Sequence, residues 1–414
     1  MLNWGNRFNI CCFLDNNEYR LSGQNAEALL AAGAEEVLQC NAGQAFDRLR
    51  EFHSAAPGWL FGHLAYDLKN ETERLRSAHP DHIGFPDLYF FRPRYLLRLQ
   101  QQELTISGNG LTEKEAHDIF AACLRESVSA DTAATWKPFR LQGPVDREYY
   151  LHAVKALQEH IRKGDCYEVN FCRERFANAA INDPLLLFRR LNALSPAPFA
   201  AFYKTDGKYL ACSSPERFLQ KQGNQLVSQP IKGTVRRSAD PAQDAQLRDT
   251  LLQSAKEQSE NVMIVDLVRN DLSRTAVQGS VKVDELFGIY AFPQVHHMIS
   301  TVTATLDERF HFTDAIRYAF PMGSMTGAPK VRVLQLIEQY ERSRRGLFSG
   351  AIGYITPEGD FDFNVVIRSI QYNAETEHVS FQTGSAITFY SDPEKEWEEC
   401  LLKAKALEAA LGAE

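Results

Sequence analysis

The sequence lacks the patterns that mark membrane, secreted and zinc-binding proteins. No apolar run approaches the roughly 18 residues that a membrane-spanning helix requires, and Asn, Arg and Asp interrupt the start of the chain before a signal-like apolar core could form. The eight cysteines include no C-x-x-C pair and no Cys/His cluster with zinc spacing. We therefore expect a cytoplasmic protein with reduced thiols and no membrane partner.

The chain also lacks an excess of positive charge. Lys and Arg number 45 against 53 Asp and Glu, which gives a formal net charge of −8. Proteins that bind a phosphate backbone concentrate Lys and Arg on one face, so we expect no nucleic-acid partner. The length of 414 residues, 44% of them hydrophobic, is enough for one large or two ordinary globular domains.

A polar segment, SVSADTAATWKPFR, divides the chain into two parts. We predict an N-terminal subdomain over residues 1–135 and a more regular region over residues 136–414. In the second part the strand-like runs do not alternate one-for-one with helix-like runs. This pattern predicts an α+β fold with large, mostly antiparallel sheets covered by helices.

Two predicted helices carry paired carboxylates. Glu257 and Glu260 lie three residues apart, as do Glu396 and Glu399 in a helix that Asp392 would cap. Residues three apart share a helix face, and carboxylate oxygens are preferred Mg²⁺ ligands. The spacing is compatible with a magnesium site or with two solvated helix faces.

Small residues precede another predicted helix. Gly323, Thr326 and Gly327 stand before Pro329, where free backbone N–H groups favour either a bound anion or a simple capped turn. The Walker A spacing is absent, so no nucleotide is expected. Arg368 lies in an apolar segment that we predict as a strand, and a buried Arg needs an anionic side chain or a substrate carboxylate.

Three further polar residues could carry chemistry. His296 and His297 are adjacent in a predicted strand, so they face opposite sides and at most one of them points into a given site. Lys232 stands in VSQPIKGTVRR, before a Gly-Thr turn. It is either a surface cation, an ion-pair partner of a glutamate such as Glu216, or a reactive group.

Seven segments occur in one order between residues 164 and 407: SSPERF, PIKGT, SENVMIVDLVRND, HHMIS, FPMGSMTGAPK, GAIGYI and SDPEKEWEE. In this order they resemble the segments of the chorismate-utilising enzymes. That family includes anthranilate synthase component I, aminodeoxychorismate synthase component I and the isochorismate and salicylate synthases. The resemblance implies an anthranilate synthase component I-like β-sandwich with helices on its outer faces, and a chorismate-binding catalytic region over residues 136–414 that uses Mg²⁺.

The resemblance also implies roles for individual residues. By motif position, the magnesium ligands are Glu260 and Glu399, supported by Glu257 and Glu396. The residues that hold chorismate or border the metal are Thr234, Thr326, Gly327, Tyr354, Arg368, Gly384 and Lys403. The catalytic residues are Lys232, Glu216 and His297, with Glu216 as the acid/base group.

Two positions discriminate within the family. Anthranilate synthases usually read PIAGT, so Lys232 favours the aminodeoxychorismate synthases, in which a neutral lysine amine would add to the ring. We expect burial and a neighbouring cation to lower the pKa of Lys232. Glu168 replaces the water-activating lysine of the isochorismate and salicylate synthases, whereas most aminating members carry Gln there.

Ser385 and Ala386 depart from the usual Gly-Ala-Gly run of the family.

The remaining alternatives concern activity and partners. Anthranilate synthase component I is the nearest rival, and a non-catalytic aromatic-acid-binding regulatory protein is a remote one. No segment resembles a glutaminase. The resemblance therefore implies that ammonia comes from a separate glutamine amidotransferase subunit or from ammonium salts.

Overall fold

Antiparallel strands dominate the architecture. The computed structural model describes residues 1–19, 26–73, 75–125, 136–292 and 294–413, so most of the predicted boundary segment lies outside the described residues. The strands are β1 Ile10–Asp15, β2 Ala28–Cys40, β3 Leu60–Leu64, β4 Leu88–Gln100, β5 Glu103–Gly108, β6 Glu168–Asn178, β7 Phe199–Thr205, β8 Lys208–Ser214, β9 Arg217–Gln222, β10 Gln225–Gln229, β11 Ile231–Arg236, β12 Lys282–Ala291, β13 Val295–Thr305, β14 Gly327–Ala328, β15 Ala351–Ile355, β16 Phe361–Val365, β17 Ser369–Asn373 and β18 His378–Ile387. The helices are α1 Leu2–Gly5, α2 Ala45–Ala55, α3 Lys69–Thr72, α4 Glu113–Arg125, α5 Arg147–Arg162, α6 Pro184–Leu194, α7 Pro241–Gln253, α8 Ala255–Ser273, α9 Phe312–Ala319, α10 Lys330–Tyr340 and α11 Pro393–Leu411.

The strands form two halves that share the long strands β2 and β4. The first half runs β5-β4-β2-β1-β7-β8-β17-β18-β6-β14. The second runs β2-β4-β3-β15-β16-β9-β10-β13-β12, and β11 also pairs with β13. Every one of these pairs is antiparallel, which confirms the expected large antiparallel architecture.

One apolar core joins the two halves, and helices cover the outer faces. The joining core contains side chains from both halves, among them Cys12, Ala31, Tyr203, Phe61, Phe91 and Ile352. Apolar residues of α8 and α9 pack on the second half, and those of α6 and α11 pack on the first. The expected sandwich with outer helices is therefore confirmed.

Caps fix the beginnings of the two helices that carry paired glutamates. The Ser254 hydroxyl accepts the N–H of Glu257 at the start of α8, and the Asp392 carboxylate accepts the N–H of Glu394 at the start of α11. Pro393 occupies the first turn of α11, where no N–H is needed. No helix within the described ranges is long and apolar enough to cross a lipid bilayer.

The N-terminal strands are built into both halves. β1 lies between β2 and β7, and β3 lies between β4 and β15, so N-terminal strands adjoin later strands within the same sheets. Residues before 126 and after 135 thus share hydrogen-bonded ladders rather than separate sheets.

Candidate active site

Lys232 forms a buried ion pair near the start of β11. Its Nζ donates a hydrogen bond of 2.6 Å to Oε1 of Glu168, the first residue of β6. The side chains of Lys232 and Glu168 are 11% and 1% exposed, so solvent scarcely screens the pair. Lys232 is therefore no surface cation, and its hydrogen-bonded partner is Glu168 rather than Glu216.

The charges around Lys232 correct one expectation. Burial lowers the pKa of Lys232, but the carboxylates of Glu168, Glu260 and Glu216 outweigh burial, and the pKa lies above its ordinary value. The expectation of a lowered pKa is wrong for this arrangement, because the sequence did not reveal how many carboxylates converge on the lysine.

Glu216 lies between β8 and β9 and has an unusual proton affinity. Its side chain is buried, and burial raises its pKa to about 7, although Ser324, Lys232 and the backbone of Ile231 oppose the rise. A carboxyl group with such a pKa can both donate and accept a proton near neutrality. Ser324 was not singled out from the sequence, since nothing in its segment indicates this contact.

His297 is held in its neutral form. It lies opposite Thr234 in the pairing of β13 with β11, and the Thr234 hydroxyl lies 2.8 Å from Nδ1 of His297. Burial, together with Arg368 and His296, lowers the pKa of His297 to about 3. His296 instead contacts Asp244, 3.1 Å from its Nε2. His297 can therefore hydrogen-bond a substrate group without carrying charge.

Arg368 is not in the middle of a strand, in contrast to the sequence prediction. It lies between β16 of the second half and β17 of the first, with a positive φ of 51°. The chain changes sheets at this point, which an apolar run cannot reveal. Within the described residues the Arg368 side chain makes no hydrogen bond or ion pair, so its guanidinium group is available to an anion.

The backbone at Thr326 and Gly327 approaches β6 closely. A Cβ atom on Gly327 would lie 2.0 Å from the carbonyl oxygen of Glu168, and the φ of Gly327 is 138°. The Thr326 hydroxyl donates to the carbonyl oxygen of Met322 at 3.1 Å. Only glycine fits here, and the Glu168 backbone is consequently fixed against this turn.

Lys403 connects Gly384 to α11. Its Nζ donates to the Gly384 carbonyl oxygen at 2.8 Å and lies 2.6 Å from Oε1 of Glu399. A Cβ atom on Gly384 would lie 2.4 Å from Sγ of Cys172, so this position also requires glycine.

The paired glutamates of α8 and α11 meet around a lysine that sequence reasoning missed. Nζ of Lys256 lies 3.8 Å from Oε1 of Glu260 and 3.9 Å from Oε1 of Glu396. Glu257 and Glu399 also act electrostatically on this ammonium group. The four-residue spacing of Lys256 and Glu260 on one helix was the available signal.

These carboxylates fit a divalent cation in their chemistry, although they do not form a closed ligand set. Across the described ranges, no three His, Cys, Asp or Glu side chains converge closely enough to hold a metal ion. However, Oε1 of Glu260 is buried and accepts no hydrogen bond from any described residue, and burial raises the pKa of Glu260 to about 7. With every group ionised, the six glutamates of the site carry two more charges than its four cations. The glutamates are Glu168, Glu216, Glu257, Glu260, Glu396 and Glu399, and the cations are Lys232, Lys256, Lys403 and Arg368.

Tyr354 lies apart from this group. Its ring packs 5.4 Å from that of Trp59 and 6.0 Å from that of Phe61, between ring centroids. It also lines a cavity of about 60 Å³ together with Phe199, and none of the other candidate site residues borders that cavity. The structure therefore does not bring Tyr354 to Lys232.

Comparisons with known proteins identify the family of the chain. Residues 8–409 match the model of the family described as chorismate binding enzyme. Aminodeoxychorismate synthase component 1 of Klebsiella aerogenes is 36% identical over 84% of this chain and 76% of its own length. Anthranilate synthase component 1 of Thermus thermophilus is 33% identical over 84% of this chain and 76% of its own length.

A solved structure shows the same fold. Anthranilate synthase component I from Streptococcus pneumoniae superimposes with a TM-score of 0.80, at 23% identity, over 95% of this chain and 94% of that one. The anthranilate synthase component I-like fold is thereby confirmed, and the chain belongs to the chorismate binding enzyme family.

Proposed function

We propose that this chain acts as an aminodeoxychorismate synthase component 1. It would aminate chorismate at C4 to give 4-amino-4-deoxychorismate, a precursor of 4-aminobenzoate and folate. The observation that carries the proposal is Lys232, a buried lysine beside the acid/base candidate Glu216. The 36% identity to an aminodeoxychorismate synthase component supports it.

The proposed substrate contacts involve one arginine and two backbone segments. Arg368 is available for one carboxylate of chorismate, and the Thr326–Gly327 backbone and Gly384 would border the other. Thr234 and Lys403 would hold the neighbouring His297 and Glu399 in place. Mg²⁺ on Glu260 and Glu399, with Glu257 and Glu396 nearby, would act as template and Lewis acid for the ring carboxylate.

The proposed reaction proceeds through Lys232. Its neutral amine forms a bond to C2 while the C4–O bond breaks, and Glu216 gives the departing hydroxyl a proton, so that water leaves. His297 hydrogen-bonds the hydroxyl. Ammonia then bonds to C4 as the C2–N bond breaks and Lys232 departs as an amine, and Glu216 regains a proton from the new ammonium group.

We further propose the setting in which the chain works. The name component 1 of the relatives supports a partner, for which a glutamine amidotransferase that delivers ammonia is our proposal. All eight cysteines are free thiols, which supports a reducing, cytoplasmic location. We propose a catalytic region over residues 136–414, which contains every candidate site residue, and an N-terminal subdomain over residues 1–135.

One assay tests the activity. The purified chain is incubated with chorismate, Mg²⁺ and an ammonium salt, and the products are identified by mass and fluorescence. We expect 4-amino-4-deoxychorismate as the main product.

The alternatives predict other results. Anthranilate would show the second candidate function, which the 33% identity to an anthranilate synthase component favours. Isochorismate or salicylate would overturn both. No product, with or without a glutaminase, would favour a non-catalytic protein that binds aromatic acids.

A further inference from the structure

Glu168 uses only one of its two carboxylate oxygens. Oε1 accepts the hydrogen bond from Lys232, whereas Oε2 is buried and accepts no hydrogen bond within the described part of the chain. A buried carboxylate without water is costly unless a cation compensates for it. The ammonium group of Lys232 provides this compensation.

Several charged groups face Lys232 from different elements, and Glu168 differs from all of them. Glu216 lies between β8 and β9, Glu257 and Glu260 lie on α8, and Glu399 lies on α11. Among the described residues, only Glu168 is hydrogen-bonded to the ammonium group. The close packing of Gly327 against the Glu168 backbone keeps this partner in place.

We propose that Glu168 is a positioning residue that holds Lys232 as an ammonium ion and thereby limits how much of the reactive amine is present. The proposal rests on the proposed function, in which the neutral amine of Lys232 bonds to the substrate ring. Amine formation breaks one N–H bond, leaves the electron pair on nitrogen and passes the proton to solvent. The ammonium group must give up its 2.6 Å hydrogen bond to Glu168 for this step.

The substitution Glu168→Gln separates charge from shape. The amide oxygen of Gln can still accept the hydrogen bond, but the negative charge that favours the ammonium form is gone. Removing an adjacent opposite charge changes a pKa by about one to three units. We therefore expect the amine to become more abundant at a given pH in E168Q, and Glu168→Asp to keep the wild-type behaviour.

The first measurement does not depend on the reaction. Magnesium-free protein is acetylated briefly with acetic anhydride at pH 8, and the rate at Lys232 is read by peptide mass spectrometry. We expect an increase of about tenfold or more in E168Q and little change in E168D. An unchanged rate in E168Q would overturn the proposal.

A matched ion pair elsewhere provides the control. Lys330 and Asp271 are also buried, with Nζ 2.7 Å from Oδ2. D271N should accelerate acetylation of Lys330 and leave Lys232 unchanged, while E168Q should do the reverse. If E168Q accelerated both lysines equally, general loosening of the fold would explain the result and the proposal would be wrong.

The second measurement uses the reaction. At pH 7.5 with saturating ammonium, we expect kcat of E168Q to rise by a factor similar to the acetylation rate, with KM for chorismate within about twofold of wild type. A lower kcat in E168Q would contradict the proposal. Faster acetylation without any aminated product, in wild type or variant, would instead refute the proposed function and leave the role of Glu168 toward Lys232 standing.

Discussion

Lys232 and Lys256 show two ways in which one site binds a lysine to carboxylates. Lys232 is 11% exposed and lies 2.6 Å from a single oxygen of Glu168. Lys256 is 51% exposed and lies 3.8 and 3.9 Å from Glu260 and Glu396. Short distance and burial fix the first ammonium group, whereas solvent screens the second. We infer that Lys232 is a fixed part of the site, whereas the ammonium group of Lys256 can give way to Mg²⁺.

Removing the fixed lysine should have the largest effect. We expect Lys232→Ala to lower aminodeoxychorismate formation by roughly a thousandfold, because the nucleophile is lost, while chorismate still binds. Steady-state rates with ammonium and direct chorismate titration would measure the two properties.

A second buried lysine serves as the control for this variant. Lys221 has the same 11% exposure and lies 2.8 Å from Asp360, outside the site. Lys221→Ala should therefore change stability and leave the amination rate near wild type. A wild-type amination rate in the Lys232→Ala variant would contradict a covalent role of Lys232.

The second-largest effect concerns Glu216, near Lys232, and the dependence of protein stability on pH. Folded Glu216 keeps its proton up to about pH 7, whereas an ordinary Glu releases it near pH 4.5. Between these values the folded state binds more protons, so stability falls as pH rises through that window. We expect the free energy of unfolding of the magnesium-free protein to fall by about 3 kcal/mol across this window because of Glu216.

The test is urea unfolding at several pH values. Glu216→Gln cannot titrate at this position, so its stability should exceed that of wild type increasingly from about pH 4.5 to pH 7. A difference between the two proteins that does not vary with pH would show that burial does not hold the proton on Glu216.

The smallest effect concerns the replaceable lysine. We expect Lys256→Met to bind Mg²⁺ about threefold to tenfold more tightly in calorimetric titration, since no ammonium group competes for Glu260 and Glu396. Without the metal, the variant should melt at a lower temperature than wild type because the carboxylates repel one another.

Lys395→Met is the control for charge alone. Lys395 lies on α11 next to Glu396 but is exposed and forms no ion pair in the described structure. Its loss should leave Mg²⁺ affinity within about twofold of wild type. Equal effects of both substitutions would mean that Lys256 acts only through overall charge and occupies no place between the glutamates.

The sequence predicted those features that local patterns encode. Asp392 signalled the start of α11, and three-residue spacing placed each glutamate pair on one helix face. The irregular order of strands and helices led to the antiparallel sandwich, and the ordered motifs led to the family.

Features that depend on distant contacts escaped prediction. Glu168 and Lys232 are 64 positions apart, so neither the pair nor the raised pKa of Lys232 follows from spacing. Arg368 was assigned to a strand because an apolar run does not show where a chain crosses between sheets. Tyr354 lies at another cavity, since alternation in a strand does not say which neighbour a side chain meets.

The pairing of early with late strands has a consequence for folding during synthesis. β1 needs β7, and β3 needs β15, whose last residue is Ile355. One edge of β1 thus lacks its partner until Thr205 has left the ribosome, and one edge of β3 until Ile355 has. Such non-local pairing slows folding and exposes strand edges to other chains. The amino-terminal third should therefore depend most on chaperones in the cell.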